Sequence, residues 1–200
     1  MLYFHKRNLV LFATPKTAST SLEQVLAPHA DIVLQGDPGI KHCTFQRYCW
    51  RFEKFTFIFN AKVPPETVAL VREPEDWLGS WFRFRHGSWV DGTPRSTRGL
   101  TFAQFIEAYL SDTPPPFAAV GSQTAFLTHP PQQRQVQTLW RYDALPAFQT
   151  WLQGELGLTL DLPQTNVSPR FGTPLPDDLR GALRAKLASD YALYEGAREV

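Results

Sequence analysis

Glycine is missing from the first 35 residues; the first one in the chain is Gly36. That absence argues against the loop that wraps a magnesium nucleoside triphosphate, which needs glycines around its turn and a Lys directly before its last Ser or Thr. Cysteine is scarce. Cys43 and Cys49 have neither metal-site spacing nor the density of a disulfide scaffold, so they read as ordinary reduced thiols. A strong charge of one sign is also lacking, since the formal net charge is +1. Without a global field, nucleic acid is not an expected partner, and any anion site must be local. Long hydrophobic runs do not occur either. The first apolar run is short and follows His5, Lys6 and Arg7, unlike a secretory signal or a membrane span. The expectation is a cytoplasmic protein with no membrane insertion.

What is present suits one domain over residues 1–200, because 43% hydrophobic content is enough for a full core. The informative stretch runs from Asn8 to Glu23. Leu9 to Ala13 is long enough for a buried strand, and the hydroxyl-rich turn Pro15-Lys16-Thr17-Ala18-Ser19-Thr20-Ser21 follows directly. Thr20 and Glu23 form a capping-box pattern, and Leu22, Val25 and Leu26 give a helix an apolar face. A strand, a tight loop and a helix N-terminus together present backbone N–H groups and a positive dipole end to an anion. The same residues also suit a helix cap that binds nothing.

This loop resembles the 5′-phosphosulfate loop of sulfotransferases that use 3′-phosphoadenosine-5′-phosphosulfate, especially the carbohydrate enzymes that read Pro-Lys-Thr-(Ala/Gly)-Ser-Thr-Ser. The resemblance makes Lys16 the residue that reaches the bridging oxygen and leaving group. It makes Thr17, Ala18, Ser19, Thr20 and Ser21 the wrap around the nucleotide's 5′ end.

Thr67 to Val71 reads as a fully buried parallel strand, and Pro74, Glu75 and Asp76 read as the first turn of a helix. Arg72 therefore stands at the carboxyl end of a strand, where open α/β sheets bind ligands. A nucleoside triphosphatase would carry a metal-binding carboxylate there. Arg72-Glu73-Pro74 with Ser80 resembles the 3′-phosphate element of sulfotransferases, with Glu-Pro where Asp-Pro is commoner; a structural pairing of Arg72 with Glu73 or Asp76 is the plain alternative. Asn166-Val167-Ser168-Pro169-Arg170 resembles a late loop near the same phosphate, which makes Arg170 a second anchor. Arg141-Tyr142-Asp143-Ala144-Leu145 resembles the segment that carries the last core strand into its helix.

Between these landmarks, Ile32-Val33-Leu34 is a short strand candidate, and Phe45, Tyr48, Cys49 and Phe52 have helical spacing. Phe55 to Phe59 is either a strand or the end of that helix. Trp77, Trp81 and Phe84 form a stripe, read as core or as a ring for the adenine. Arg83, Arg85, His86, Arg95 and Arg98 cluster as a solvated surface or an anion-steering patch. Thr101 with Gln104 starts a capping-box helix, residues 112 to 122 read as a surface loop or lid, and Val136 to Tyr142 is a strand candidate. Leu145, Phe148, Leu152 and Leu156 line the next helix. Leu179, Leu183, Leu187, Tyr191 and Tyr194 line a final one.

The expected fold is α/β: a three-layer sandwich with a central, mostly parallel sheet, the P-loop NTPase-like sulfotransferase fold. The expected reaction is in-line transfer of a sulfuryl group to a hydroxyl or amine of a small-molecule or carbohydrate acceptor, leaving 3′,5′-adenosine bisphosphate, with no metal. A hydroxyl acceptor needs a base, and His42 after a glycine-bearing turn is the candidate, with His86 the fallback. Lys41-His42-Cys43-Thr44-Phe45 resembles the segment of uronosyl 2-O-sulfotransferases that carries His-Gly-His, although Ile40 fills the place of the first His. Two other functions fit the same fold: a nucleotide-binding scaffold without chemistry, and a P-loop kinase, which the missing glycines oppose.

Overall fold

The apolar run before the hydroxyl-rich turn and the buried run Thr67–Val71 both become strands, and the two pair in parallel. The computed structural model describes residues 1–59, 63–163 and 172–200. The chain opens with β1 (Leu2–Phe4), β2 (Leu9–Leu11), α1 (Ser19–Leu26) and β3 (Ile32–Val33), followed by α2 (Pro38–Lys41), α3 (Phe45–Arg51), α4 (Glu53–Phe59) and β4 (Glu66–Val71). It continues with α5 (Pro74–Phe84), α6 (Phe102–Leu110), α7 (Gln123–Leu127) and the small antiparallel pair β5 (Thr128–His129) and β6 (Arg134–Gln135). Last come β7 (Thr138–Arg141), α8 (Leu145–Leu156), α9 (Asp177–Lys186) and α10 (Ala188–Glu195).

These elements fall into two compact units. The first holds Met1–Arg72, the stretch that begins at Gln123, and Leu193–Val200. Its sheet has the order β3-β1-β2-β4-β7. The sheet is mixed rather than uniformly parallel: β2, β4 and β7 run parallel, while β1 is antiparallel to both β2 and β3. The strands' period-two alternation sends Tyr3, Val10, Phe12, Ala69, Val71 and Leu139 into one core cluster. Leu2, Leu9, Leu11, Val68, Leu70 and Trp140 go into another. Helices cover both: Phe45 and Tyr48 of α3 with Phe126 and Leu127 of α7 complete the first cluster, and Leu22 and Leu26 of α1 with Phe148 and Leu152 of α8 complete the second.

β1 has no counterpart among the sequence expectations, because three residues are too few to display a period. All three are nevertheless buried. At about 2 kcal/mol for each large apolar side chain taken from water, that burial holds a strand whose own pairing is marginal. Residues Phe55–Phe59 are helical, not extended. The strand expected over Val136–Tyr142 is shorter, spanning Thr138–Arg141 as β7. Its outer edge is closed by the C-terminal segment, where Arg198 N–H donates to Leu139 O at 2.8 Å and Arg141 N–H donates to Arg198 O at 2.8 Å.

The second unit holds Glu73–Ser122 and the stretch that ends at Ala192. Its core is Trp77, Leu78 and Phe82 of α5, Phe102, Phe105, Ile106 and Tyr109 of α6, and Leu183, Leu187 and Tyr191 from the C-terminal helices. Glu73 caps α5 by accepting from Asp76 N–H at 2.7 Å, and Thr101 with Gln104 forms the expected reciprocal box on α6. The expected final helix is broken at Leu187, whose φ of −103° and ψ of 24° separate α9 from α10. The basic cluster is not a uniform solvated face. Arg85 is buried, and its guanidinium donates to Pro116 O at 2.7 Å, which pins the 112–122 loop. Arg98 pairs with Asp91 at 2.7 Å. Among the described residues no helix is long and apolar enough to cross a membrane.

Candidate functional site

β2 ends, Thr14 to Ala18 turn, and α1 begins at Ser19. Two residues in this turn, Lys16 at φ 68° and Ala18 at φ 56°, occupy the left-handed region without being glycine. Each costs roughly 1 kcal/mol, and strain of this kind collects where a loop's shape is set by function. Ala18 is the N-cap residue, no side chain caps the first turn of α1, and that turn contains no carboxylate. The capping box expected from Thr20 and Glu23 is therefore not formed. The helix starts two residues too early for it, and Lys41 claims both side chains: its Nζ lies 3.1 Å from Thr20 Oγ1 and 3.1 Å from Glu23 Oε2. An ammonium only donates, so Thr20 Oγ1 accepts from Lys41 and its own proton is left to point at an acceptor.

The loop is braced from within. Thr17 Oγ1 donates to Thr14 O at 2.9 Å, so the Thr17 hydroxyl faces inward while its backbone stays in the turn. Thr14 is fully buried, and among the described residues its own hydroxyl has no hydrogen-bond partner. Ser21 is buried on the first turn of α1, and Ser19 is half-buried.

Arg72 follows β4, the strand that pairs in parallel with β2. Its Nη1 donates to Lys16 O at 3.0 Å, which brings the Arg72 guanidinium to the hydroxyl-rich turn itself. Register explains the other contact. Val71 pairs with Arg141, so Arg72 stands beside Tyr142, and its guanidinium lies over that ring at 4.6 Å from the centroid. The Arg72 backbone is clasped by Gln123, fully buried at the start of α7: Arg72 N–H donates to Oε1 at 2.8 Å and Nε2 donates to Arg72 O at 2.7 Å. The amide of Gln123 thus acts as one more rung of the sheet ladder.

His42 follows α2, a one-turn helix capped by Asp37, which accepts from Gly39 N–H at 2.7 Å. Its Nδ1 lies 2.6 Å from Ala13 O, at the end of β2. A carbonyl can only accept, so Nδ1 carries the proton and Nε2 carries the lone pair. Burial pushes the imidazole pKa below its ordinary value, opposed by the bond to Ala13 and assisted by the Lys41 charge. The ring is therefore held neutral in the tautomer a base requires.

Lys16, Thr20, Arg72 and His42 are thus joined through one loop, and Lys41, Tyr142 and Gln123 support them. Sequence reasoning missed these last three. Lys41 had a local signal, as a cation at the end of a helical turn facing a hydroxyl-rich loop; Gln123 had none. Ser80 is buried on α5 in the second unit. His86 belongs to the same unit, where it lines a cavity of about 320 Å³ with Phe82, Leu100 and Phe102. Arg170 lies outside the described residues. Among the described residues no group of three His, Cys, Asp or Glu side chains converges as a metal site does.

No protein-family model, curated protein or solved structure matches the chain. The chemistry of the site therefore rests on its own residues.

Proposed function

We propose that the chain is a sulfotransferase that moves a sulfuryl group from 3′-phosphoadenosine-5′-phosphosulfate to a hydroxyl or amine, on a P-loop-like variant of the α/β fold. The observation that carries this reading is the 3.0 Å contact between the Arg72 guanidinium and the Lys16 carbonyl. It supports two cationic grips at adjacent strand ends, as a ligand phosphorylated at both ends of an adenosine requires. A cation where a triphosphatase would hold a metal-binding carboxylate favours such a ligand over a magnesium nucleotide.

The residues fit the group. The first turn of α1 has no side-chain cap and follows two left-handed residues, an arrangement suited to an anion nest. Thr20, with its oxygen satisfied by Lys41, offers a proton to a phosphate oxygen. When bound, the nucleotide supplies an activated sulfuryl group whose leaving oxygens belong to a phosphate. Lys16 would donate to the oxygen on which charge develops, a contact that strengthens as the bond breaks. His42 Nε2 would take the proton of an acceptor hydroxyl, since Nδ1 is already committed to Ala13. Arg72 would orient the nucleotide and do no bond chemistry.

The test is thermal unfolding with 3′,5′-adenosine bisphosphate, ADP or ATP with magnesium, repeated on Lys16→Ala and Arg72→Ala. At a hundredfold excess over Kd a ligand stabilises by about 2.7 kcal/mol. For a chain of this size that raises Tm by roughly 5–10 °C. The bisphosphate alone should give this rise, Arg72→Ala should abolish most of it, and Lys16→Ala should stop transfer in an acceptor screen. Equal stabilisation by ATP, or an unchanged response in Arg72→Ala, would overturn the proposal.

A further inference from the structure

α3 and α4 are one helical ladder with a distortion at Phe52, whose N–H donates to Tyr48 O at 2.9 Å and whose carbonyl accepts from Thr56 N–H at 3.0 Å. At about 100° per residue the inner arc of that ladder holds Phe45, Tyr48, Cys49, Phe52 and Thr56. The first four pack in or against a sheet cluster, and Thr56 is buried. The outer arc holds Trp50, Lys54, Arg47, Ile58, Arg51 and Phe55. Trp50 is 64% exposed, Ile58 72% and Phe55 48%, and the three cations between them are exposed too. One carboxylate occurs from Phe45 to Phe59, that of Glu53, and it is paired with Arg134. In a chain of net charge +1, this face presents positive charge that no carboxylate pairs with among the described residues, interleaved with large apolar side chains.

We infer that this face docks on an anionic lipid bilayer, lying in the interface with Trp50, Phe55 and Ile58 at the headgroup and acyl boundary. Helices that lie in the interface combine an apolar face with Lys and Arg that snorkel to lipid phosphates, and indoles favour that depth. The charge argues against a second copy of the chain, because a twofold contact through this face would set its cations against one another. A polyanionic saccharide would satisfy the cations and the indole but would leave Ile58 and Phe55 in water. Hydrocarbon accounts for both kinds of side chain. This inference does not depend on the proposed reaction.

The test is co-sedimentation of the full chain with phosphatidylcholine vesicles, with and without one third phosphatidylserine, at low and high salt. Binding is expected only with phosphatidylserine and should weaken with salt. Each cation near such a surface contributes about fivefold to partitioning, so Lys54→Gln should weaken binding by about that factor. Ile58→Asp should weaken it by more than tenfold while leaving the melting curve unchanged, as expected for an exposed position. Failure to sediment, equal binding to phosphatidylcholine alone, or wild-type binding by both variants would overturn the inference. So would retention on heparin without vesicle binding, or a concentration-dependent dimer lost in Ile58→Asp.

Discussion

Gln123 offers the sharpest test of how the site is held together. Replacing it by glutamate changes neither size nor shape, and the carboxylate can still accept from Arg72 N–H, at 2.8 Å in the native protein. The other contact inverts. Where Nε2 donates to Arg72 O at 2.7 Å, an ionised oxygen would face a carbonyl with no proton between them. The variant has one escape, which is to bind a proton. Keeping a carboxyl protonated at pH 7 against an ordinary Glu pKa of about 4.3 costs about 3.7 kcal/mol, and that sets a ceiling on the damage. The floor is the lost hydrogen bond together with an unsatisfied carbonyl, about 2 kcal/mol. Gln123→Glu should therefore lose about 2–4 kcal/mol at neutral pH, or roughly 5–15 °C in Tm.

The pH dependence separates this account from simple misfit. In the folded variant the carboxyl pKa is raised by burial and by the facing carbonyl, so the folded state holds its proton to higher pH than the unfolded state does. The group's contribution is fully present below the unfolded pKa and is lost as pH rises. The deficit relative to wild type should shrink by up to about 1.4 kcal/mol per pH unit as pH falls from 7 toward 5. Gln123→Ala has no titrating group, and its deficit should not change over that range. Chemical denaturation of all three proteins across pH 5–8 reads this directly. A deficit in Gln123→Glu that stays flat with pH, or one below about 0.5 kcal/mol, would refute the ladder role.

Further outcomes follow from the geometry of the loop and of His42. His42→Gln should leave bisphosphate affinity intact and reduce turnover by about 10²–10⁴. In wild type the acid limb of activity should fall below the ordinary histidine value of 6.5, because burial lowers the pKa of this ring. The lowered pKa also means that the unfolded chain binds a proton more readily, so stability should fall as pH drops below 6.5, and the His42→Gln variant should lose that slope. A limb above 6.5 would remove His42 as the base. Ala18→Gly relieves a left-handed backbone angle of 56° and should raise stability by roughly 1 kcal/mol in a urea titration; a loss would mean that the Ala18 methyl is needed in the turn.

What could be read in advance was local or fully buried. Thr101 and Gln104 satisfy each other within one turn, and Pro74 with its acidic neighbours starts α5, so both helix starts needed no partner from elsewhere in the chain. Val68 to Val71 stood out because a strand buried on both faces is a continuous apolar run, and all four are buried. Long-range partners defeated the same reasoning elsewhere. Thr20 and Glu23 have the spacing of a capping box, yet Lys41 outcompetes the backbone for both. Leu2–Phe4 is too short to show a period, and the clasp of Gln123 on Arg72 spans 51 residues with nothing at either end to announce it. The turn at Lys16 was legible because its turn and helix-start residues are contiguous. Its union with Arg72 required β2 and β4 to be neighbours in register.

The loop's lack of glycine also bears on the proposed ligand. In a glycine loop, left-handed turns cost nothing and no side chain stands at them. Here one of the two left-handed positions carries Lys16, and the strain there is tolerated with a cation in place. Arg72 uses one arm of its fork on the Lys16 carbonyl, which ties the strained turn to the end of β4. Lys41 adds a third positive charge and Glu23 removes one, so the loop and its braces carry two net positive charges, more than the formal charge of the whole chain, +1. A field confined to one turn, with half-buried Lys16 and Arg72, weakens within about 8–10 Å at physiological salt. On the proposed function, such a field favours a small, densely charged anion seated in the turn over an extended polyanion passing across the surface.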